Sequence, residues 1–446
     1  MTNEIKKRMK SADDVAAEYL ELQLSMKKES RLANVLTIVL TLGFIYTFAV
    51  LFWVLPDKAK SESENRMLAT APSFEMEGFL HGDFTSEFGT YMADQFPFRD
   101  WFIGVYATSE TLQGKGETND VILGDDGYLF ARNDFPDKVR DPEDETKIYN
   151  YLESNLGSVS NFIAAAKDKG ITCIPSFAGR KIDVLEKYLP KTYGTYYSDR
   201  IWNMLGDYCR EGGFEPLNLR DALSELAKES DEQLYYRTDH HWTTLGAYYA
   251  YCEIIKALGE TPYALSDFEK ETVTEDFFGT TWSSAGTPWT DGDKIEYFRY
   301  EDDGEYTMKI LGKIADFEGY EGCTYETDES GKNYTVFNSF YVREFLSEKD
   351  KYASFLGGNY GYTEIRKNTD EERETLLVLK DSFSHSVAPF LARHYDLIMV
   401  DLRYYKTPIL RFCMTNEIDK VLFLYNMETL TEADYLKVLN AGLGVK

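Results

Sequence analysis

The sequence is poor in the two residue types that most often build metal and disulfide sites. Its 446 residues include five cysteines and five histidines. The cysteines are widely spaced, odd in number and without a C-x-x-C pair. This argues against a disulfide framework or a thiolate zinc site and leaves the redox compartment open. The shortage of histidine confines any imidazole chemistry to a few positions.

Positive charge is also scarce. The chain has 48 lysines and arginines against 76 acidic residues, a formal net charge of -28. An extended nucleic-acid-binding surface is therefore not expected. The acidic surface would repel a polyanion, although physiological salt screens this repulsion beyond about 8 Å. Low-complexity tracts and repeats are absent, and the length suits one large domain or two ordinary ones.

One long stretch near the start carries no charge. It runs over 23 residues, 33–55, as "ANVLTIVLTLGFIYTFAVLFWVL" and is closed by Pro56. As a helix it would extend about 35 Å, enough to cross a hydrocarbon core of about 30 Å. A buried core helix is the alternative, but such helices rarely run this long without a polar face. No A-x-A cleavage site directly follows the stretch, so the pattern predicts an uncleaved signal anchor.

Basic residues before this stretch favour a cytoplasmic N-terminus and an extracytoplasmic main domain. There are seven of them, Lys6, Lys7, Arg8, Lys10, Lys27, Lys28 and Arg31. Lys58, Lys60 and Arg66 on the far side weaken the asymmetry. The predicted boundaries are a cytoplasmic tail at 1–31, a transmembrane anchor at 32–56, a polar stalk at 57–85 and an extracytoplasmic domain at 86–446.

The remainder has an α/β pattern. Apolar runs such as "ITCIPSF", "TLLVLKDSF", "DLIMVDL" and "KVLFLYN" alternate with helical stretches. This predicts a mostly parallel sheet with helices on both faces, whose reactive groups gather beyond the carboxyl ends of the strands. Residues 260–370 lack clear periodicity and are expected to form an elaborated insertion.

The stretch "LLVLKDSFSHS" offers a candidate nucleophile. An apolar strand ends just before Lys380 and Asp381, and Ser382 stands where a helix is expected to begin. A serine at such a turn can face a pocket while backbone N–H groups point at an oxyanion. Asp and Ser are also common helix caps, so a purely structural role is the alternative.

The stretch "RTDHHWTT" offers the base that a serine needs. In an extended segment Asp239 and His241 emerge on one face and His240 on the other, which favours His241 as the base with Asp239 holding its tautomer. His385 is a rival base. A metal site is a further alternative, but no H-x-x-x-H spacing and no further clustered ligands are present, so no metal is predicted.

Together, "TDHHWT" and "KDSFS" resemble the DHHW protein family, which is similar to the alginate O-acetylation proteins of the SGNH-hydrolase-like group. The stretches "SESENRMLATAP", "DQFPFRD", "VILGDDGYLF", "DFFGTTWSSAG" and "DLRYY" agree with it. The resemblance implies an SGNH-like α/β domain with Ser382 as nucleophile, His241 as base and then acid, and Asp239 as its orienting group.

Three further residues are site candidates, the first of them as the counterpart of the SGNH asparagine. Asn359 in "FLGGNYGYTEI" either donates to the oxyanion or belongs to a Gly-Gly-Asn turn. Arg403 in "DLRYY" either binds a substrate oxygen or forms a structural ion pair. Trp242 is expected to wall the pocket. Lys380 stands where the SGNH pattern has glycine, which puts the local turn in doubt.

The expected function is a membrane-anchored extracytoplasmic O-acetyltransferase or acetylesterase acting on a cell-envelope polysaccharide or exopolysaccharide, without a cofactor. The resemblance also implies a membrane-bound O-acyltransferase as the partner that supplies acetyl groups. The alternative is a non-catalytic SGNH-like protein that binds carbohydrate or assists assembly of the envelope.

Overall fold

The computed structural model describes residues 12–61, 66–132, 142–193 and 196–444. Residues 1–11 of the predicted cytoplasmic tail lie outside these ranges. The chain divides into two compact units, the first formed by Met1–Ser61 with Arg66–Phe102 and the second by Glu62–Asn65 with Ile103–Lys446.

The first unit begins with one long helix. The helical segment Arg31–Val54 is long and apolar enough to cross a membrane. The most apolar part of this segment is not buried by other described residues. Proline cannot continue a helix, and Pro56 follows two residues after its end. The unit contains α1 (Ala12–Val54), β1 (Lys60–Ser61), β2 (Arg66–Met67), α2 (Met76–His81), α3 (Asp83–Asp94) and the start of α4 (Arg99–Leu112). The segment 57–85, expected to be an irregular stalk, thus contains regular elements.

A sheet of nine strands, counted over the described residues, organises the second unit. The strands of this unit are β3 (Glu117–Thr118), β4 (Val121–Leu123), β5 (Leu129–Ala131), β6 (Thr172–Ala178), β7 (Leu217–Asn218), β8 (Glu269–Phe277), β9 (Asp293–Arg299), β10 (Tyr306–Leu311), β11 (Cys323–Thr327), β12 (Asn333–Phe337), β13 (Tyr362–Lys367), β14 (Thr375–Lys380), β15 (Asp396–Val400) and β16 (Lys420–Asn426). The order in the main sheet is β11-β12-β10-β13-β15-β14-β16-β6-β7, while β3-β4-β5 and β8-β9 pair separately.

The sheet is mixed, so the prediction of a mostly parallel sheet is wrong. Strands β15, β14, β16, β6 and β7 run parallel to one another. Strands β11, β12, β10 and β13 join them in antiparallel pairings. Antiparallel neighbours need only short turns, whereas parallel ones need crossover helices, and the region 306–367 has no α-helix among its described residues. Part of the expected insertion therefore extends the sheet.

Helices cover both faces of this sheet. The remaining helices are α5 (Pro142–Lys167), α6 (Lys181–Val184), α7 (Tyr196–Glu211), α8 (Leu219–Glu229), α9 (Thr244–Ala257), α10 (Thr280–Ala285), α11 (Ala388–Leu391), α12 (Ile409–Thr415) and α13 (Met427–Glu432). Alternate residues of β14 enter two separate cores, because successive side chains of a strand point to opposite faces. Leu376 and Val378 pack with α8, α9 and α11, while Leu377 and Leu379 pack with α5, α7, α12 and α13.

Candidate active site

A buried carboxylate shapes the turn that carries Ser382. Strand β14 ends at Lys380, and Asp381 caps a short 3-10 turn over Ser382–Ser384 by accepting a hydrogen bond from the Phe383 N–H at 3.0 Å. The second oxygen of Asp381 accepts from the Asn426 N–H at 2.6 Å and the Thr429 hydroxyl at 2.8 Å. The turn is thereby tied to the end of the neighbouring strand. The expected helix at Ser382 is a 3-10 turn, and α11 begins only at Ala388.

Three of the predicted site residues form a continuous hydrogen-bonded chain. The Nε2 atom of His241 lies 2.7 Å from the Ser382 hydroxyl, and its Nδ1 lies 2.6 Å from Asp239 Oδ1. Asp239 and His241 are 2% and 6% exposed. This arrangement can move a proton from the hydroxyl to the imidazole while the carboxylate holds the tautomer.

The segment that carries Asp239 and His241 is a tight loop rather than a strand. An isolated bridge between Tyr235 and Trp242 closes it. Buried Lys181 donates from Nζ to three of its carbonyl oxygens, those of Tyr236 (2.9 Å), Arg237 (3.0 Å) and Asp239 (2.6 Å). Asp239 and His241 meet because Asp239 Oδ1 also accepts from the His241 backbone N–H at 3.0 Å, and not because of strand alternation.

The second oxygen of Asp239 is held by the start of α10. Oδ2 accepts from the Thr280 N–H at 2.9 Å and the Thr280 hydroxyl at 3.1 Å. The backbone at position 279 lies so close to the Asp239 side chain that only glycine fits, because an added Cβ would lie 2.2 Å from the Cβ of Asp239. Gly279, Thr280 and Lys181 were not predicted as site residues. The stretch "DFFGTTWSSAG" contains Gly279 and Thr280 and contributes to the family resemblance, but the sequence indicates no role for either residue.

The buried environment sets the protonation of the pair. Burial opposes ionisation of Asp239, but His240, His241 and the hydrogen bonds from His241 hold the pKa of its carboxyl well below the ordinary value. Burial, reinforced by His240 and opposed by Asp239, lowers the pKa of His241 to about 4. At neutral pH the imidazole is therefore uncharged and able to accept a proton.

Aromatic rings pack around the imidazole. Tyr352 stacks on His241 with ring centroids 4.0 Å apart, and its hydroxyl donates to the Ser382 carbonyl at 3.1 Å. Trp242 is fully buried, and its Nε1 lies 3.0 Å from both the Phe383 carbonyl and the Ser386 hydroxyl. The prediction that Trp242 walls the pocket is wrong, because its ring supports the Ser382 turn from within the core.

His240 lies beside His241 and not on the opposite side. The two rings have centroids 3.9 Å apart, and His240 Nδ1 lies 2.8 Å from the Thr280 hydroxyl. Asp239, His240 and His241 are also the one group of possible metal ligands found among the described residues. Asp239 Oδ1 and both ring nitrogens of His241 already have partners. A cation bound here would therefore have to break the hydrogen bonds that connect Asp239, His241 and Ser382.

A second buried cluster adjoins the Ser382 turn. Lys380 is 1% exposed, and its Nζ donates to Asn359 Oδ1 at 2.6 Å and to His385 Nε2 at 2.9 Å. It also lies 3.9 Å from Asp401 Oδ2. Burial lowers the pKa of Lys380 to about 8, against the attraction of Asp401. His385, the rival base, thus contacts Lys380, while the contact with the Ser382 hydroxyl belongs to His241.

The other two predicted residues have different surroundings. Asn359 follows Gly357 and Gly358, which have φ angles of 75° and 108°, so it does lie in a glycine turn. None of the described residues accepts a hydrogen bond from its Nδ2. Arg403 binds Asp401 through Nε at 3.0 Å and NH2 at 2.7 Å. That ion pair is the structural alternative considered for Arg403.

Two family models match this part of the chain. The one described as DHHW protein matches residues 222–401, and the one described as SGNH hydrolase-like domain, acetyltransferase AlgX, matches residues 121–285. The resemblance to the DHHW proteins is confirmed. The DHHW match contains Asp239, His241, Asn359 and Ser382, while Arg403 lies just beyond it.

A curated relative and two solved structures are also similar. The probable alginate O-acetylase AlgJ of Pseudomonas fluorescens is 23% identical over 184 residues, 41% of this chain and 44% of that protein, so the matched length is less than half of the relative. A DHHW family protein from Eubacterium siraeum has a TM-score of 0.50 at 21% identity, with 64% of this chain and 88% of that chain covered. Bacillus cereus PatB1, with a sulfonyl adduct, has a TM-score of 0.49 at 21% identity, with 65% and 93% covered. The likeness to the Eubacterium siraeum structure concerns the fold alone.

Proposed function

We propose that this chain is a membrane-anchored, extracytoplasmic O-acetyltransferase or acetylesterase acting on a cell-envelope polysaccharide or exopolysaccharide. The observation that carries the proposal is the unbroken chain from Asp239 through His241 to Ser382. The similarity to the acetyltransferase AlgX domain and to the probable alginate O-acetylase AlgJ supports acetyl transfer as the chemistry.

In the first half-reaction Ser382 Oγ attacks the carbonyl carbon of an acetyl ester. His241 Nε2 takes the hydroxyl proton, and the carboxylate of Asp239 stabilises the imidazolium that forms. The tetrahedral oxyanion needs hydrogen-bond donors. We expect the Ser382 backbone N–H and Asn359 Nδ2 to supply them, because neither group has another acceptor among the described residues. Collapse of the intermediate breaks the ester C–O bond, and His241 returns the proton to the leaving alkoxide.

In the second half-reaction an acceptor attacks the acetyl group on Ser382. His241 removes a proton from a sugar hydroxyl or from water, and Ser382 leaves with that proton restored to its oxygen. A sugar hydroxyl yields an O-acetylated polysaccharide, whereas water completes hydrolysis. Exclusion of water and binding of the acceptor decide between the two products.

The membrane arrangement belongs to the same proposal. Arg31–Val54 would anchor the chain as a single span, and the basic residues before it favour a cytoplasmic N-terminus. Tethering would hold the enzyme domain beside a membrane-bound O-acyltransferase that passes acetyl groups across the bilayer.

The test is acetyl release from a chromogenic acetyl ester by the detergent-solubilised full chain. Ser382→Ala should abolish release and the acetyl adduct seen by intact-protein mass spectrometry. Ser347→Ala, at an exposed serine whose hydroxyl bonds the Glu344 carbonyl, is the matched control and should behave as the wild type. Equal rates for Ser382→Ala and the wild type would refute the proposal. Oligosaccharide added as acceptor separates transfer from hydrolysis.

A further inference from the structure

A cleft of about 480 Å³ lies between β13 and α12. Tyr362, Glu364 and Arg366 line it from one face of β13, since alternate residues of a strand share a face. Arg411 and Phe412 of α12 line it from the other side. None of the groups proposed for the acetyl chemistry lines this cleft.

Aromatic rings form a connected set in the cleft. The Tyr362 ring centroid lies 5.7 Å from that of Tyr405, 6.4 Å from that of Phe412 and 6.5 Å from that of Tyr334. All four side chains are partly exposed. Rings that keep one apolar face and a polar edge accessible suit the C–H faces and hydroxyl groups of sugars.

The acidic groups in the cleft are already satisfied. Asp328 accepts from the Ser330 and Lys332 backbone N–H groups, both at 2.9 Å. Glu364 accepts from the Tyr362 hydroxyl at 3.2 Å and from Arg366. These carboxylates therefore have local partners and are not left to bind a cationic ligand.

Two cations in the cleft remain without an acidic partner. Among the residues that the structure describes, no carboxylate pairs with Lys332 Nζ or with the Arg411 guanidinium, and both side chains are exposed. Arg366 differs, because it is paired with Glu364 and Asp396. In a chain of net charge -28, unpaired cations lining one aromatic cleft favour an anionic ligand there.

The cleft also neighbours the Ser382 region. Tyr405 follows β15 two residues after Arg403, and Tyr362 lies three residues after Asn359. The order β13-β15-β14 puts β13 two strand spacings, about 10 Å, from the strand that leads into Ser382. A polymer bound in the cleft would thus lie within a few sugar units of the proposed nucleophile.

We propose that this cleft binds an anionic segment of the acceptor polysaccharide, with its rings stacked on sugar faces and Lys332 and Arg411 paired with carboxylate or phosphate groups. The proposal rests on the proposed acetyl chemistry only in calling the ligand an acceptor. Binding of an anionic saccharide in the cleft does not require an active Ser382.

The test is calorimetric titration of the detergent-solubilised Ser382→Ala chain with defined oligomers. The probes are a uronic acid hexasaccharide, the same hexasaccharide with its carboxyl groups reduced to alcohols, and a glycerol phosphate hexamer. We expect salt-sensitive binding of one or both anionic probes and binding of the reduced form weaker by about tenfold. Preference between the anionic probes identifies the source of the charge. Equal binding of the reduced and uronic acid forms would overturn the proposal.

Variants place the binding in the cleft. Arg411→Gln should weaken binding by about fivefold and Tyr405→Ala by about tenfold. Tyr404→Ala is the matched aromatic control, because Tyr404 is 63% exposed and does not line the cleft. Lys169→Gln, at an exposed lysine outside the cleft, is the control for charge. Unchanged binding by both cleft variants would also overturn the proposal.

The same variants separate this proposal from the proposed function. In the Ser382-containing background, Arg411→Gln and Tyr405→Ala should leave hydrolysis of the small chromogenic ester unchanged. Binding without any ester hydrolysis would refute the acetyl chemistry and keep the cleft. Hydrolysis that depends on Ser382, without binding of either anionic probe, would refute the cleft and keep the chemistry.

Discussion

Lys380 Nζ donates a hydrogen bond to Asn359 Oδ1 over 2.6 Å, and this contact orients the side-chain amide of Asn359. With Oδ1 occupied, Asn359 Nδ2 is the end without an acceptor among the described residues. In the proposed mechanism Lys380 would therefore act through Asn359. Lys380 is therefore a positioning residue in the proposed mechanism.

The first prediction concerns this pair. Asn359→Ala should reduce kcat for acetyl release by about 10²-fold, because an oxyanion donor is lost. Lys380→Met should reduce it by about tenfold, because the amide is then free to rotate. If Lys380 acts through Asn359, the double variant should be no slower than Asn359→Ala alone. A double-mutant cycle on kcat measures this coupling, with fluorophosphonate labelling of Ser382 to verify folding. Fully additive losses would contradict the role given to Lys380.

The second prediction is the pH dependence of the reaction. The base must be uncharged, and the pKa of His241 is lowered to about 4. In the free enzyme kcat/KM should therefore rise as pH increases through about 4 and be level near neutral pH. Measurement of kcat/KM between pH 3 and pH 8, on a pH-stable substrate, checks this. An acidic limb centred near the ordinary histidine value of about 6.5 would show that the imidazole is more solvated than this structure implies.

The site was more predictable from sequence than the sheet. Asp239, His241 and Ser382 carry their chemistry in their residue types, and a family motif marks their positions. Strand alternation, which predicts the pairing of Asp239 with His241, is nevertheless not what joins them, because they lie in a tight loop held by Lys181. Such long-range contacts leave no periodic trace in a sequence.

The sheet and Trp242 show the other limits of sequence reasoning. Buried apolar runs identify β6, β14, β15 and β16, but the half-exposed strands of residues 306–367 lack such runs, so the sequence predicts an insertion there. An aromatic residue next to a candidate base can line a pocket or support it from the core. Only the burial of Trp242 distinguishes these two possibilities.

The third prediction tests the close approach of α10 to Asp239. Gly279→Ala places a Cβ 2.2 Å from the Cβ of Asp239, so the loop or the helix must move. The free energy of unfolding should fall by about 1–3 kcal/mol, and acetyl release should fall because the Asp239 to His241 contact is disturbed. Gly304→Ala is the control, because a Cβ at Gly304 meets nothing within 4 Å. Chemical denaturation and kcat measured on both variants check this. A fully active Gly279→Ala chain of unchanged stability would contradict the packing described.

The fourth prediction separates the two roles considered for Trp242. Trp242→Phe keeps an aromatic ring but removes the Nε1 hydrogen bonds to the Phe383 carbonyl and the Ser386 hydroxyl. Because these partners are buried, the variant should lose about 1–3 kcal/mol of unfolding free energy, and kcat should fall while KM stays unchanged. A residue that walls the pocket would instead raise KM. The control is Trp282→Phe, which removes one comparable bond, to the Thr287 carbonyl at 2.8 Å, and should cost stability without the same loss of kcat. A raised KM in Trp242→Phe, without a raised KM in Trp282→Phe, would contradict this prediction and support a role for Trp242 in lining the pocket.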